Sequence, residues 1–281
     1  MDQSVAAAWK SAPSVEGVIN YVGAMDIRPE FFARDYSRDN LVIDAEPMPV
    51  RDMRAWRDAV SIENEGFMLA DHKSAVADFR DDAEVRATYL EEARALIRDL
   101  SGADKVIMSP GAILRFGERS PAYRQSFNSR PARFVHVDLT PVSAPGLIKP
   151  HVPEGAPWPP ARRVIGFNVW RVISAPPQDV PLALCDVRSI AERDRVPADA
   201  VLGVEHGVGF SFEAFLLRHN PAHRWAYFSG MTRDEALVFK NFDTQAPQGG
   251  GVPHVAFDDP TCPADAGPRG SLEVRGFAFF E

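Results

Sequence analysis

The sequence predicts a mainly β fold with flanking helices, a double-stranded β-helix or jelly roll, organised as a single domain over residues 1–281. Three observations carry this. From about residue 104 onward the chain is a succession of short runs rich in β-branched and aromatic residues: KVIMS, RFVHVDL, RVIGFNVWRVI, VPLALCDV, HRWAYFS, EALVFKNF, VPHVAF and SLEVRGFAFF. Pro, Gly and Asp separate them, and the 24 prolines and 19 glycines fall throughout the chain, which suits many strands and turns better than a helical bundle. Only one stretch, residues 81–102, has strong helical periodicity.

Taken in order, the first hundred residues read as a helical and irregular layer, 1–103, packed on a β core, 104–281. Shorter helical pieces are expected around 3–10, 52–60 and 73–80. In DDAEVRATYLEEARALIRDLSG, Val85, Tyr89, Ala93, Leu96, Ile97 and Leu100 recur at helical spacing. Acidic residues crowd its first turn and Ser101-Gly102 supply a stop. No internal repeat, heptad pattern or low-complexity tract interrupts the chain.

A net charge of −8 argues against nucleic acid as a partner, since phosphates need a basic face. No apolar run is long enough to span a bilayer. The opening MDQSVAAAWK lacks the basic segment of a signal peptide. Cys185 and Cys262 cannot build a disulfide framework or, alone, a cysteine zinc site. The expected setting is the cytoplasm and the expected partner a small molecule, with a homo-oligomer left open.

The chemistry starts at RFVHVDL. Alternate side chains of a strand share a face, about 6.5–7 Å apart. Phe134, His136 and Asp138 then face one way and Val135, Val137 and Leu139 the other. One imidazole and one carboxylate are two-thirds of the 2-His-1-carboxylate triad that leaves Fe(II) open positions. By itself HxD also describes a buried hydrogen-bonded pair. A third ligand has to come from downstream, where His151, His206, His219, His223 and His254 are available. His254 follows a glycine-rich turn in GGGVPHVAFDDP. In the last strand Arg269, Ser271 and Arg275 share one parity. A guanidinium fork with a hydroxyl two residues on suits a dicarboxylate held at both oxygens. Taken singly, Arg269 reads as a solvated loop-end cation and Arg275 as the partner of Glu273 or Asp243.

Asn168 and Trp170 share a face and are candidate substrate contacts. His223 offers itself either as a residue orienting the ligands or as the distal ligand. His206 and His219 read as surface or hydrogen-bonded structural residues. Cys185 reads as an inert buried thiol. Asp258-Asp259 lack the spaced oxygens of a calcium loop and read as turn residues.

The runs NVWR (168–171), PLALCD (181–186), HRWAYFSGMTRDEALVFKNFD (223–243), PHVAFDDP (253–260) and RGSLEVR (269–275) together resemble the hydroxylase/desaturase family that includes a gibberellin desaturase and a cephem methoxylase component. That family sits among the non-haem Fe(II)/2-oxoglutarate oxygenases, and the resemblance extends over roughly residues 15–281. It implies a double-stranded β-helix, with iron on His136, Asp138 and a late histidine. It also implies 2-oxoglutarate as co-substrate with O₂, and release of succinate and CO₂. In the wider superfamily a strand like DEALVF precedes the distal histidine and an arginine follows it, an order that selects His254 over His223. The implied outcome is hydroxylation, desaturation or cyclisation of a small natural product or amino-acid derivative. The contrasting expectation is a non-catalytic auxiliary protein of the same fold, partnering another biosynthetic enzyme. A cupin-like metal hydrolase or isomerase would keep the metal and ignore 2-oxoglutarate.

Overall fold

Fourteen strands form two sheets among the residues that a computed structural model of the chain describes, namely 7, 9–33, 35–123, 129–205 and 208–281. In chain order they are β1 (Ser14–Val22), β2 (Glu30–Phe32), β3 (Ile43–Asp52), β4 (Phe67–Asp71), β5 (Lys105–Phe116), β6 (His136–Val137) and β7 (Arg163–Val172). There follow β8 (Leu182–Cys185), β9 (Arg195–Glu205), β10 (Val208–Leu217), β11 (Trp225–Tyr227), β12 (Glu235–Asp243), β13 (His254–Ala256) and β14 (Gly270–Phe280). One sheet runs β1-β3-β11-β8-β13-β6-β10-β9-β2 and the other β4-β12-β7-β14-β5. Pairing is antiparallel except at β3–β11 and β2–β9. The central strands β8-β13-β6-β10 face β12-β7-β14-β5, giving the jelly roll the sequence predicts.

The core between the sheets takes side chains from both, among them Phe67, Trp170, Leu184, Phe228 and Phe239. The nine-stranded sheet curls until β1 and β3 cross its own back, where Ile19, Tyr21 and Val50 bury Val135, Val137 and Val255. Burying apolar area on both faces of the histidine-bearing strands makes their position stiff.

The first hundred residues depart from the expected helical layer, because they contribute β1–β4. In SVEGVINYV the buried positions 17, 19 and 21 alternate with more exposed ones, the half-buried strand pattern. Pro47 and Pro49 disguise β3 as a breaker. They are tolerated there because β11 pairs only with Val50–Asp52. The expected helix at 52–60 is a pair of 3₁₀ turns, Arg54–Ala59. The one expected at 73–80 is absent. Its backbone N–H groups are taken instead by carboxylates, Ala75 by Glu92 at 2.8 Å and Asp78 by Glu84 at 3.0 Å. That expected at 3–10 lies largely outside the described residues.

Residues 81–102 meet expectation. Helix α1 (Leu90–Ser101) continues helical turns at Asp82–Glu84 and Val85–Tyr89. The Asp81 carboxylate accepts from the N–H of Ala83 and Glu84, and Gly102 ends the helix at φ 66°. Val85, Tyr89, Ala93 and Ile97 pack on the outer face of the five-stranded sheet, bracing β7 and β14.

The glycine-rich turn before β13 is a steric device. Residues 248–250 all take positive φ, at 50°, 79° and 57°. At Gly251 the backbone then passes so close to β6 and β12 that a Cβ would lie 2.4 Å from Val137 Cγ1 and 2.5 Å from Asn241 O. Gly251→Ala should therefore cost about 1–3 kcal/mol through forced displacement of these strands. Urea unfolding measures it, and a loss below about 0.5 kcal/mol would mean that β13 has room to move.

Candidate functional site

His136 and His254 are register partners across the antiparallel pair β6–β13, so the sheet itself sets two imidazoles side by side, ring centroids 4.2 Å apart. Phe134, His136 and Asp138 face one cavity, while Val135 and Val137 pack on the back. The alternation predicted for RFVHVDL holds through Asp138, although the ladder itself ends at Val137. Candidate ligand atoms of His136, Asp138 and His254 all lie within 4.8 Å of one another, and all three residues are buried.

The tautomers follow from the hydrogen bonds. His136 Nδ1 is 3.1 Å from Phe134 O and His254 Nδ1 is 3.0 Å from Val252 O. A carbonyl only accepts, so each Nδ1 carries the proton and each Nε2 keeps its lone pair. The two Nε2 atoms point at the same carboxylate, 4.0 and 3.9 Å from Asp138 Oδ1 and Oδ2. Burial pushes His136 down to about 3, helped by the neighbouring His254. Burial likewise lowers His254. Burial alone would raise Asp138, but the Arg275 guanidinium, with the hydrogen bond from Asn168, outweighs it and holds the carboxyl below its usual range. Neutral imidazoles and an ionised carboxylate are what a divalent cation needs. Two nitrogens and one oxygen on one side match the donor set of a facial triad.

The remaining candidates fall on either side of this cluster. Arg275 lines both adjoining cavities and donates from Nη2 to Asp138 Oδ1 at 2.7 Å; Glu273 holds its Nε at 3.0 Å. The ion pair with Glu273 is present, and that with Asp243 is not, since Asp243 pairs with Arg163. Asn168 is fully buried behind the carboxylate, donating to Asp138 Oδ2 at 2.7 Å, and sits on neither cavity wall. Trp170 lines the smaller cavity, its ring 5.7 Å below the Arg269 guanidinium. Arg269 is no solvated cation: it is 1 % exposed, and burial pushes it down to about 9. Its Nη1 donates to Val180 O at 2.8 Å, and its Nε is buried with no hydrogen-bond partner among the described residues. Ser271 is buried nearby, its hydroxyl 3.4 Å from Arg115 O.

His223 lies elsewhere. Its Nε2–H donates to Asp194 Oδ2 at 3.2 Å, and the Tyr21 hydroxyl donates to its Nδ1 at 3.2 Å, within the core behind the nine-stranded sheet. His219 lies tilted against Tyr21, ring centroids 5.3 Å apart, and His206 lies outside the described residues. Cys185 and Cys262 are unpaired.

Two cavities meet at the cluster. The smaller, about 320 Å³ of empty space, runs from His136 and His254 past Trp170 to Arg269, with Arg115, Glu273 and Arg275 on its walls. The larger, about 720 Å³, reaches His136 and Asp138 through a lining of Phe31, Tyr36, Ile113, Phe134, Leu202 and Phe212, with alanines between. Arg115, which lines both, escapes sequence reading. Its place is set by pairing opposite Ser271 on β14, and pairing over that separation leaves no local signal.

A family model described as "Oxidoreductase/YMDC permease-like domain" matches residues 19–279. The Fe(II)/2-oxoglutarate-dependent dioxygenase nvfI of Aspergillus novofumigatus is 31 % identical over 234 residues, 81 % of each chain. The hydroxylase/desaturase CTB9 of Cercospora beticola is 31 % identical over 248 residues, covering 79 % of this chain and 72 % of that one. The chain belongs to the Fe(II)/2-oxoglutarate-dependent oxygenases. The solved structure of the iron and α-ketoglutarate-dependent endoperoxidase NvfI, 26 % identical, superposes with a TM-score of 0.84 over 96 % of this chain and 98 % of the other. Like these oxygenases, the protein is a dioxygenase that uses Fe(II), 2-oxoglutarate and O₂ on a small metabolite. No helix among the described residues is long and apolar enough to cross a membrane.

Burial lowers His72 and His223 as it does the two cavity histidines. Each is then neutral when folded and takes up a proton near its ordinary value when unfolded. Their contribution is complete above about pH 6.5 and is lost as pH falls below it, at about 1.4 kcal/mol per pH unit per proton. Metal-free oxygenase should lose stability steadily from pH 7 to 5, and His223→Asn should remove close to one proton from that slope. His223→Asn should also cost about 1–3 kcal/mol through the lost hydrogen bonds to Asp194 and Tyr21, while one Fe(II) is still bound per chain. Urea titrations across pH and an iron-binding assay check both; loss of iron would reinstate His223 as a ligand.

Proposed function

We propose that Fe(II) is held by Nε2 of His136, a carboxylate oxygen of Asp138 and Nε2 of His254, with 2-oxoglutarate in the smaller cavity and the metabolite in the larger. The observation that carries this reading is the unpartnered, buried Arg269 Nε at the far end of a cavity that starts at the two imidazoles. An orphaned guanidinium donor in the core costs free energy unless an anion completes it.

The charges support the same occupant. Three arginines and one glutamate line the smaller cavity. Glu273 and Asp138 account for Arg275. The buried Arg269 guanidinium, whose Nε has no partner among the described residues, therefore leaves that end of the cavity suited to a carboxylate. Arg269 takes the distal carboxylate in a charge-assisted hydrogen bond. Ser271 adds its hydroxyl, since its 3.4 Å contact with Arg115 O is long enough for a carboxylate to displace. Arg275 lies at the other end, where its guanidinium keeps Asp138 ionised beside the bound 2-keto acid. Trp170 floors the cavity under Arg269 rather than meeting the metabolite.

With iron, 2-oxoglutarate and O₂ bound, the centre supplies oxidative decarboxylation to succinate and CO₂ coupled to removal of hydrogen from a C–H bond. The protein's work is to hold that bond at the junction of the cavities and keep water out. Phe134 and Phe212 present an apolar wall there, so a partly apolar small natural product fits better than a charged one. Hydroxylation, desaturation and cyclisation differ only in which hydrogen is presented. Two unpaired cysteines suit a reducing cytoplasm.

His136→Ala and Asp138→Ala should each abolish iron-dependent succinate release. Arg269→Gln should retain iron yet raise KM for 2-oxoglutarate about 10–100-fold, the worth of one or two charge-assisted bonds. The readouts are succinate formation and the anaerobic visible band of the iron–2-oxoglutarate complex. Unchanged decarboxylation in either ligand variant would overturn the ligand set, and an unchanged KM in Arg269→Gln would overturn the clamp.

A further inference from the structure

The geometry points to Asn241 as a positioning residue for the iron centre, acting on Asp138 through Asn168; this inference rests on the ligand set proposed above. The three side chains form a directed chain. Asn241 Nδ2 donates to Asn168 Oδ1 at 2.6 Å, and Asn168 Nδ2 donates to Asp138 Oδ2 at 2.7 Å. Asn168 and Asn241 are 0 and 1 % exposed, so neither amide has water to fall back on. Buried amides are costly unless satisfied, which makes their retention between sheets of aromatic and aliphatic residues a feature needing a cause.

Two backbone irregularities serve this chain. Opposite β7, the register of β12 slips between Lys240, which pairs with Phe167, and Phe242, which pairs with Gly166. Asn241 is the extra residue of that bulge, and bulges re-aim side chains beside functional sites. Across from it stands Gly166, where a Cβ would lie 2.0 Å from Asn241 Oδ1 and 3.1 Å from its Cγ. The glycine leaves the space the amide occupies. Asn241 Oδ1 itself has no hydrogen-bond partner among the described residues, so the polar connection this residue makes is the one leading to the carboxylate.

The result is a carboxylate gripped from two sides. A second register slip, on β14 between Val274 and Gly276, brackets Arg275, whose Nη2 takes Asp138 Oδ1 at 2.7 Å. Arg275 and Asn168 are themselves register partners on β14 and β7. One rung of the sheet thus supplies both bonds to Asp138. Asn168 holds one oxygen, and Asn241 ties down the far end of the Asn168 amide so that its plane cannot turn. With both oxygens fixed, the remaining lone pairs stay aimed at the space between the imidazoles. Removing such an outer partner from a metal ligand typically costs 10–100-fold in metal affinity.

The test is an anaerobic Co(II) titration, followed by cobalt d–d absorption, of the full chain and its variants, with thermal unfolding of each metal-free protein. Asn241→Asp keeps the shape and replaces the donor with an acceptor facing Asn168 Oδ1. It should weaken Co(II) binding at least tenfold and alter the absorption envelope in protein whose CD matches wild type below a lowered unfolding temperature, since the new carboxylate is buried. Gly166→Ala should also weaken binding by pushing on Asn241. In the Asn241→Ala background the same substitution should change affinity less than twofold, because its target has gone. Should Asn241→Asp not fold, Asn241→Ala and the double variant decide by the same constants. Wild-type affinity, within twofold, in the Asn241 variants would overturn the relay while leaving the iron ligands intact. Failure of the wild-type protein to bind Co(II) would overturn the centre itself.

Discussion

A single ionised carboxylate, Asp138, buried to 6 % exposure between two β-sheets, is the constraint around which this molecule is arranged. Leaving such a charge unpaired would cost several kcal/mol, so the fold has to bring donors or a cation to it. The fold supplies a guanidinium at one oxygen and an amide at the other, both from adjacent strands of the five-stranded sheet. The opposite sheet supplies two imidazoles whose protons are already committed to backbone carbonyls. The carboxylate, carried just past β6, therefore finds its donors on the facing sheet and is satisfied only when the two sheets close on each other, while the two Nε2 lone pairs stay free for a cation. Folding and assembly of the centre become the same event.

This dependence explains the positions of the glycines and bulges better than strand formation does. A regular ladder would keep Asn241 in register and leave no space opposite it. A side chain at 251 would hold β13 away from β6 and separate the two histidines. Local irregularity is accepted in both places, and the aromatic and aliphatic packing on both faces of each sheet offsets it.

What a reader of the sequence can see is what is local. The parity of Phe134, His136 and Asp138 follows from strand geometry alone, and the periodicity of residues 85–100 from helix geometry. Arg269 and Ser271 are visible through their spacing and through family likeness. What is hidden is pairing. Nothing near Asn168 announces that it lies one rung from Arg275, so it reads as a substrate contact rather than a hydrogen-bond donor behind the metal site. Arg115 reads as an ordinary strand residue until β5 is laid against β14. The N-terminal strands were obscured by prolines and acidic residues, whose tolerance depends on where β11 stops.

The two cavities also differ in how much of their purpose the residues declare. In the smaller one an orphaned guanidinium donor at the end remote from the imidazoles calls for an anionic or acceptor group. The larger is walled by phenyl rings, branched side chains and alanines, which exclude water but make few directional contacts. Apolar walls discriminate by shape, and a methylene more or less is worth only about 1–3 kcal/mol. His136 and Arg275 stand in the partition between the two. On the proposed assignment, a bond reacting at the junction of the cavities comes to rest against these two residues, which the carboxylate and imidazole cluster holds in place. Repacking the apolar wall alone would then turn the same iron chemistry on a different carbon skeleton, the choice of hydrogen being set by the shape of that wall.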